Sequence, residues 1–304
     1  MTESEKISTN KLHGIWALTN RELKKWYKSP VVFLLTIIQP VLWMGLLGKA
    51  MNIGAIFSSN QIPTGVFGGL TPPLTAVQIG QLNHVFSGIS SSIMTNAFGV
   101  SDYFSYMAMG MIVFTTLFTT AFSGMSVVWD RRLGFMNKVL STPVSRSVII
   151  LSKVLSATLR SLFQAAIVIG IAFIFGLQFG TNFSILSLLG VFAIVFLIGV
   201  GLSSLFIAIN LRATRMETPQ AIINLITLPL MFASNAFFPI NLMPNWLQAV
   251  ANANPMSYTT DAVRRLTIFS GGLDKLTIDF AYVGIFAAVV TAISIILSWR
   301  FLNK

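Results

Sequence analysis

The sequence predicts an all-α integral membrane protein. It should hold six transmembrane helices in a single domain, 1–304, with both termini cytoplasmic and an amphipathic N-terminal helix at the inner interface. Three observations carry this. The 304 residues are 54% hydrophobic and 10% charged, too few charges to coat a water-facing globule. The mean hydropathy is +0.77, and the apolar residues gather into six runs near the ~20 residues an α-helix needs to cross a hydrocarbon core. Lysines and arginines collect on one side of those runs. Disorder, a secreted miniprotein and a soluble enzyme are excluded. With no cysteine there is no thiol nucleophile and no cysteine metal site.

The runs cover 31–47, 103–128, 161–179, 185–209, 219–238 and 278–299. In the fourth, 17 of 25 residues are Ile, Leu, Val or Phe and none is charged, so its insertion gains of the order of 5–10 kcal/mol. Backbone amides in lipid must bond internally, which makes such runs helices. Segments 1–30, 129–153, 210–220 and 300–304 hold 15 of the 20 Lys and Arg, against four in the intervening loops, which places both ends inside. The net charge of +11 is therefore topology rather than a nucleic-acid footprint. Arg160 falls at the start of the third run, its guanidinium snorkelling to the inner face. The first run, lacking an early apolar segment and a cleavage site, reads as a retained anchor.

Between the runs lie shorter patterned segments. Residues 9–30 carry Leu12, Ile15, Trp16, Thr19, Leu23, Trp26 and Tyr27 at helical spacing, flanked by Arg21, Lys24, Lys25 and Lys28, before Ser29 and Pro30 open the first span. Residues 51–102 read as turns, then a helix through Leu82, Val85, Phe86, Ile89 and Ile93, with His84 a solvated side chain. In the loop after the second run, Asp130 caps a helix over 130–140 with an apolar stripe of Leu133, Met136, Val139 and Leu140, and Pro143 stops it. That stripe suits lipid headgroups or a docked protein equally. Before the last run, Pro244 opens one short helix, Asn254 and Pro255 break it, and Ser257 caps a second holding Asp261, Arg264 and Arg265; these re-entrant or interfacial helices could plug the outer face.

Uncharged polar residues inside the runs are Gln39, Thr115, Thr116, Thr119, Thr120, Gln164, Asn224 and Asn235, and Phe114, Phe118 and Phe122 repeat along the second. They suit a cavity for an amphipathic molecule or bonds between neighbouring helices. Pro40 and Pro229 should bend their helices. Every Asp and Glu lies at a boundary or in a loop, which disfavours an ion-coupled carrier, and no zinc-protease motif or catalytic triad is present. There is no phosphate-binding Gly-rich loop, and no cytoplasmic segment much exceeds 30 residues. Any ATP must be hydrolysed by another chain.

Two stretches carry a specific resemblance. WDRRLGFMNKVLSTPVSR, Trp129 to Arg146, and FFPINLMPNWLQAVANANPMSYTTDAVR, Phe237 to Arg264, resemble the cytoplasmic loop and outer signature of the type 2 ATP-binding-cassette (ABC) permeases, especially the drug-resistance and antibiotic-export group. The resemblance implies a half-transporter: two permease subunits, expected as a homodimer in the plasma membrane, driven by ABC ATPase subunits that hold ATP and Mg. It also implies a hydrophobic or amphipathic substrate, whether drug-like, lipid or glycan-linked. It maps an ATPase-coupling helix onto Asp130, Arg131, Arg132, Leu133, Gly134, Phe135, Met136, Asn137, Lys138 and Leu140, with Pro143 and Arg146 following. The connecting helix maps onto Trp16, Arg21, Lys24, Lys25 and Trp26, and an outer gate onto Phe238, Pro239, Pro244, Trp246, Asn254, Pro255, Tyr258, Asp261 and Arg264. Arg132 and Asn137 stand where such permeases often carry glutamate, and Met109 where a proline is frequent. An ion-coupled transporter and a non-transporting membrane scaffold or sensor are the alternatives.

Overall fold

A computed structural model describes residues 11–50, parts of 80–100, 102–142, 144–181, 183–213, 215, 217–269 and 271–301. The expected turns at 51–79, Leu82, Phe86, Ile89, Ile93 and Pro143 lie outside the described residues; His84 and Val85 are helical. The principal elements are α1 (Lys11–Tyr27), α2 (Pro30–Trp43, continuing as a wider π-turn over Met44–Ala50), α3 (Tyr103–Arg132), α4 (Phe135–Leu140) and α5 (Arg146–Ile174). They continue as α6 (Ile185–Asn210), α7 (Glu217–Phe232), α8 (Asn245–Ala253), α9 (Pro255–Thr267) and α10 (Leu276–Phe301). No strand occurs among the described residues.

Four helices are long and apolar enough to cross a membrane: Met94–Arg132, Arg146–Ile174, Ile185–Asn210 and Leu273–Phe301. A fifth follows if the bent pair Leu12–Tyr27 and Pro30–Leu46, inclined at 77°, counts as one. The bend has a local cause. Ser29 is extended and Pro30 lacks the N–H that would continue the first helix. Across the corner, Trp26 Nε1 donates to Thr36 Oγ1 at 3.2 Å, and the Trp26 ring packs edge-on against Phe33 and Phe163. Pro40 sits within α2, ahead of its change to π geometry.

α3 is the axis of the bundle, packed against α5, α6, α7 and α9. Asp102 starts it, accepting from the amides of Phe104 and Ser105 at 3.2 and 3.0 Å. Met107, Met109, Met111, Ile112 and Leu117 are wholly buried. Two glycines permit close crossing: a Cβ on Gly110 would lie 1.9 Å from the Ala236 carbonyl oxygen, and one on Gly124 would lie 2.5 Å from that of Phe206.

Several sequence boundaries are corrected. α5 begins at Arg146 rather than 161 and ends at Ile174, so Arg160 lies mid-helix, its Nε donating to the Ser156 carbonyl at 3.3 Å. The cationic stretch before it is an amphipathic extension whose Val148, Ile149, Ile150 and Val154 are buried. α7 stops at Phe232 instead of 238; its 16 residues reach about 24 Å, short of a ~30 Å hydrocarbon core. Asp130 caps nothing: it belongs to the last turn of α3, Gly134 breaks the chain at φ 69°, and the loop helix is confined to Phe135–Leu140. Asn254, not Ser257, caps α9, accepting from the Met256 amide at 3.0 Å with Pro255 as first helical residue. Pro244 is the residue before α8 rather than its first.

Replacing Gly110 by alanine should lower the thermal midpoint of the detergent-solubilised protein, since overpacking costs about 1–3 kcal/mol. Gly170→Ala, which meets open space, should leave it unchanged or raise it; equal midpoints for the two variants would contradict this packing.

Candidate functional site

The two ends of the bundle solve different polar problems. At the end that carries α4, the last turn of α3 presents Asp130, which is 2% exposed. A carboxylate this enclosed requires a cation and hydrogen-bond donors. Lys153 of α5, itself buried, supplies both, its Nζ lying 2.5 Å from Asp130 Oδ2 and 3.2 Å from Ser126 Oγ. The second oxygen accepts from Lys25 of α1 at 3.0 Å. Glu22, also buried, adds a second carboxylate, 3.5 Å from Lys153 and 2.8 Å from Arg21. Two acids and three cations thus join α1, α3 and α5, and Thr19 reinforces the seam by donating to the Ser152 carbonyl at 3.3 Å.

The hairpin hangs from this cluster. The Arg21 guanidinium lies 3.2 Å from the Phe135 ring centroid, a cation–π contact that ties α4 to α1. Arg131 turns the other way and donates to the Leu211 and Ala213 carbonyls at 2.7 and 3.2 Å, satisfying acceptors left open where α6 ends. Met136 and Val139 pack with Ile149 and Ile150, and Leu18 joins them. Leu140 and Arg146 are half-buried, while Trp129, Arg132, Leu133, Asn137 and Lys138 are exposed. Leu133 therefore leaves the stripe its spacing suggested, and the outward face is cationic around a tryptophan and a leucine. On α1, Trp16 and Lys24 are exposed and Trp26 is half-buried.

At the opposite end the problem is backbone. α7 ends early and its last carbonyls need donors. Asn254 Nδ2 bonds the Leu230 and Ala233 oxygens at 2.8 and 2.6 Å. Arg264, fully enclosed, bonds the Asn235 and Ala236 oxygens at 2.7 Å each and the Tyr106 oxygen twice, its guanidinium 3.4 Å from the Tyr106 ring centroid. Arg264 therefore does not form the expected pair with Asp261, which accepts from Asn235 Nδ2 at 2.5 Å and lies 4.0 Å from Arg265. Arg265 pairs with Asp279. A cavity of about 310 Å³ opens beside this cluster, lined in part by Phe98, Tyr106, Asn235, Pro239, Asp261 and Arg264. Tyr258 stacks on Tyr282, whereas Phe238, Pro244 and Trp246 are exposed.

The polar residues of the spans are mostly satisfied within the protein. Thr115, Thr116 and Thr120 return their hydroxyls to carbonyls of α3. Thr119 bonds Gln164, which donates in turn to the Thr36 carbonyl at 3.2 Å, linking α3, α5 and α2. Gln39 is half-buried, and Asn224 is exposed and accepts from Gln220. Among the described residues no group of three His, Cys, Asp or Glu is arranged to hold a metal ion.

Sequence reasoning missed Glu22 and Lys153. Glu22 did carry a signal, an acid on the Thr19–Trp26 side of a cationic helix; Lys153 was hidden by being assigned to a loop.

Long apolar helices closed at one end by a charge-pinned hairpin and at the other by short capping helices define a polytopic membrane protein. Residues 13–268 match the family model of the ABC-2 type transporters, and the chain belongs to that family. It is similar to "Putative transport permease ycf38" of Porphyra purpurea, 28% identical over 256 residues that cover 83% of this chain and 73% of that one. It is also similar to the daunorubicin resistance ABC transporter permease protein DrrB1 of Streptomyces coeruleorubidus, 24% identical over 196 residues that cover 64% and 69% of the two chains.

Lys153→Met removes the buried cation that Asp130 and Glu22 share, leaving them the part-exposed Lys25 and Arg21, and should cost up to about 3 kcal/mol, read as a fall in thermal midpoint. Adding Asp130→Asn should recover part of that loss; strict additivity of the two changes would show that the residues do not interact.

Proposed function

We propose that this chain is the permease subunit of an ATP-driven exporter, two copies of which form the pathway while a separate ABC ATPase supplies ATP and Mg. One observation carries the reading: the hairpin between α3 and α5, with α4 at its tip, has an exposed outer face and attachments that reach α1, α3, α5 and α6. Force on Arg132, Leu133, Asn137 or Lys138 passes through Phe135 to Arg21 of α1 and through Asp130 and Lys153 to α3 and α5. Arg131 carries it to the end of α6. An ATPase that grips this face differently in its ATP-bound state would shift the bundle between inward- and outward-open arrangements.

The six-span topology, with both termini and α1 on the cytoplasmic side, follows the Lys and Arg asymmetry. α7 and the segment after it make the fifth crossing, completed by α8 and α9 dipping from outside. The drug-resistance name of DrrB1 and the uncharged polar side chains in the spans favour a hydrophobic or amphipathic substrate, exported across the plasma membrane.

The burial of Asp130 determines where the test belongs. Reversing its charge would break the fold as well as the coupling, whereas Arg132 and Lys138 are exposed. Arg132→Glu with Lys138→Glu should leave membrane insertion and thermal midpoint intact. Each lost charge-assisted contact should weaken copurification with the cognate ATPase by about tenfold or more, and ATP-driven export should fall in parallel. Undiminished copurification and export in the double variant would refute the reading.

A further inference from the structure

α1 divides into three sectors at about 100° per residue. Ile15, Thr19, Glu22 and Trp26 turn toward the protein. Beside them Leu12, Trp16 and Tyr27 form an exposed apolar strip, Leu12 at 74% and Trp16 at 57% of full exposure. Beyond that lie Arg21, Lys24, Lys25 and Lys28, which with Ala17 and Asn20 line a depression of about 400 Å³. The helix runs at 77° to α2, so if α2 stands across the bilayer α1 lies along its surface. An exposed apolar strip beside a row of cations on a surface-parallel helix matches the boundary between acyl chains and anionic headgroups. A soluble acidic protein would match the cations and leave the strip unexplained.

We infer that this depression is a binding site for the phosphate of an anionic phospholipid in the cytoplasmic leaflet, and that it shares Arg21 and Lys25 with the buried Asp130–Glu22 cluster. The placement in that leaflet rests on the proposed topology. Lys24 and Lys28 point away from the cluster and serve the lipid alone. Lys25, with its side chain 47% exposed, reaches Asp130 at 3.0 Å, and Arg21, 31% exposed, stands 3.7 Å from the same oxygen. A lipid phosphate therefore competes for these two cations with the buried acids, chiefly Asp130 for Lys25 and Glu22 for Arg21. Membrane charge would thus set how firmly α1 is held to α3.

The test is native mass spectrometry of the purified full chain with phosphatidylglycerol or phosphatidylcholine added, and with soluble glycerol 3-phosphate as competitor. The wild type should retain phosphatidylglycerol in preference, and glycerol 3-phosphate should not displace it. Lys24→Gln with Lys28→Gln, both at exposed positions, should weaken retention roughly thirtyfold with an unchanged thermal midpoint. Asp130→Asn, which releases Lys25 from its nearest acid while Arg21 stays on Glu22, should strengthen it several-fold. Equal retention of the two lipids, no effect of the lysine changes, or no gain with Asp130→Asn would overturn the inference. Displacement by glycerol 3-phosphate would make this a soluble-anion site, and loss of lipid on ATPase binding would make it a protein interface; either result also overturns it. None of these readouts requires transport, so failure of the exporter reading and failure of the lipid site are distinguishable.

Discussion

The contact between Asp130 and Lys153 constrains the α4 end of the molecule. Neither group tolerates the interior alone, and each finds compensation on a different helix. Because Glu22 and Lys25 complete the same cluster from α1, three helices must be correctly placed before any one of the charges is stable there. Apolar packing between helices has little directional preference in lipid, where the surrounding chains are as oily as the helix faces. The charge cluster adds the missing specificity, and it does so at the base of the turn that joins α3 to α5.

The other end relies on the backbone. Once α7 ends short of a full crossing, its carbonyls would face an apolar environment without donors. Asn254 donates to the Leu230 carbonyl within the last turn and to Ala233 just beyond it, and Arg264 takes the Asn235 and Ala236 carbonyls of the segment that follows. Gly110 permits the approach, since a side chain there would collide with the Ala236 carbonyl that Arg264 holds. The ion cluster joins elements by exchangeable side-chain contacts, whereas the guanidinium fuses α9 with α3 and the end of α7 into one block.

Much of the fold was legible because the period of apolar residues is a physical requirement of the bilayer. The fourth and sixth runs lie within two residues of α6 and α10 at every boundary. The amphipathic helix and its Ser29–Pro30 corner were legible for the same kind of reason, stripe spacing and a missing amide. Errors arose where hydropathy and helix continuity part company. α5 runs on through Lys153 and Arg160 because Val148, Ile149, Ile150 and Val154 pack inward and the buried Lys153 is paired with Asp130, so neither charge ends the helix. α7 stops while the sequence is still apolar, since Asn254 and Arg264, distant in sequence, make an early end affordable. The site was half visible: the loop was singled out, but Asp130 read as a cap because its partner Lys153 lies on a helix that local patterns did not reveal. Glu22 was passed over within a run of cations, although it is the only acid on that helix.

The grip of Arg264 on four carbonyl bonds bears on how a molecule could leave through that end. Pulling the guanidinium away would strand those oxygens in an oily setting unless water arrived to take its place. Opening by peeling α9 off the bundle is thus coupled to wetting. A dry exit would instead require α9, α3 and the tail of α7 to swing together as one door, hinged where no such bonds cross.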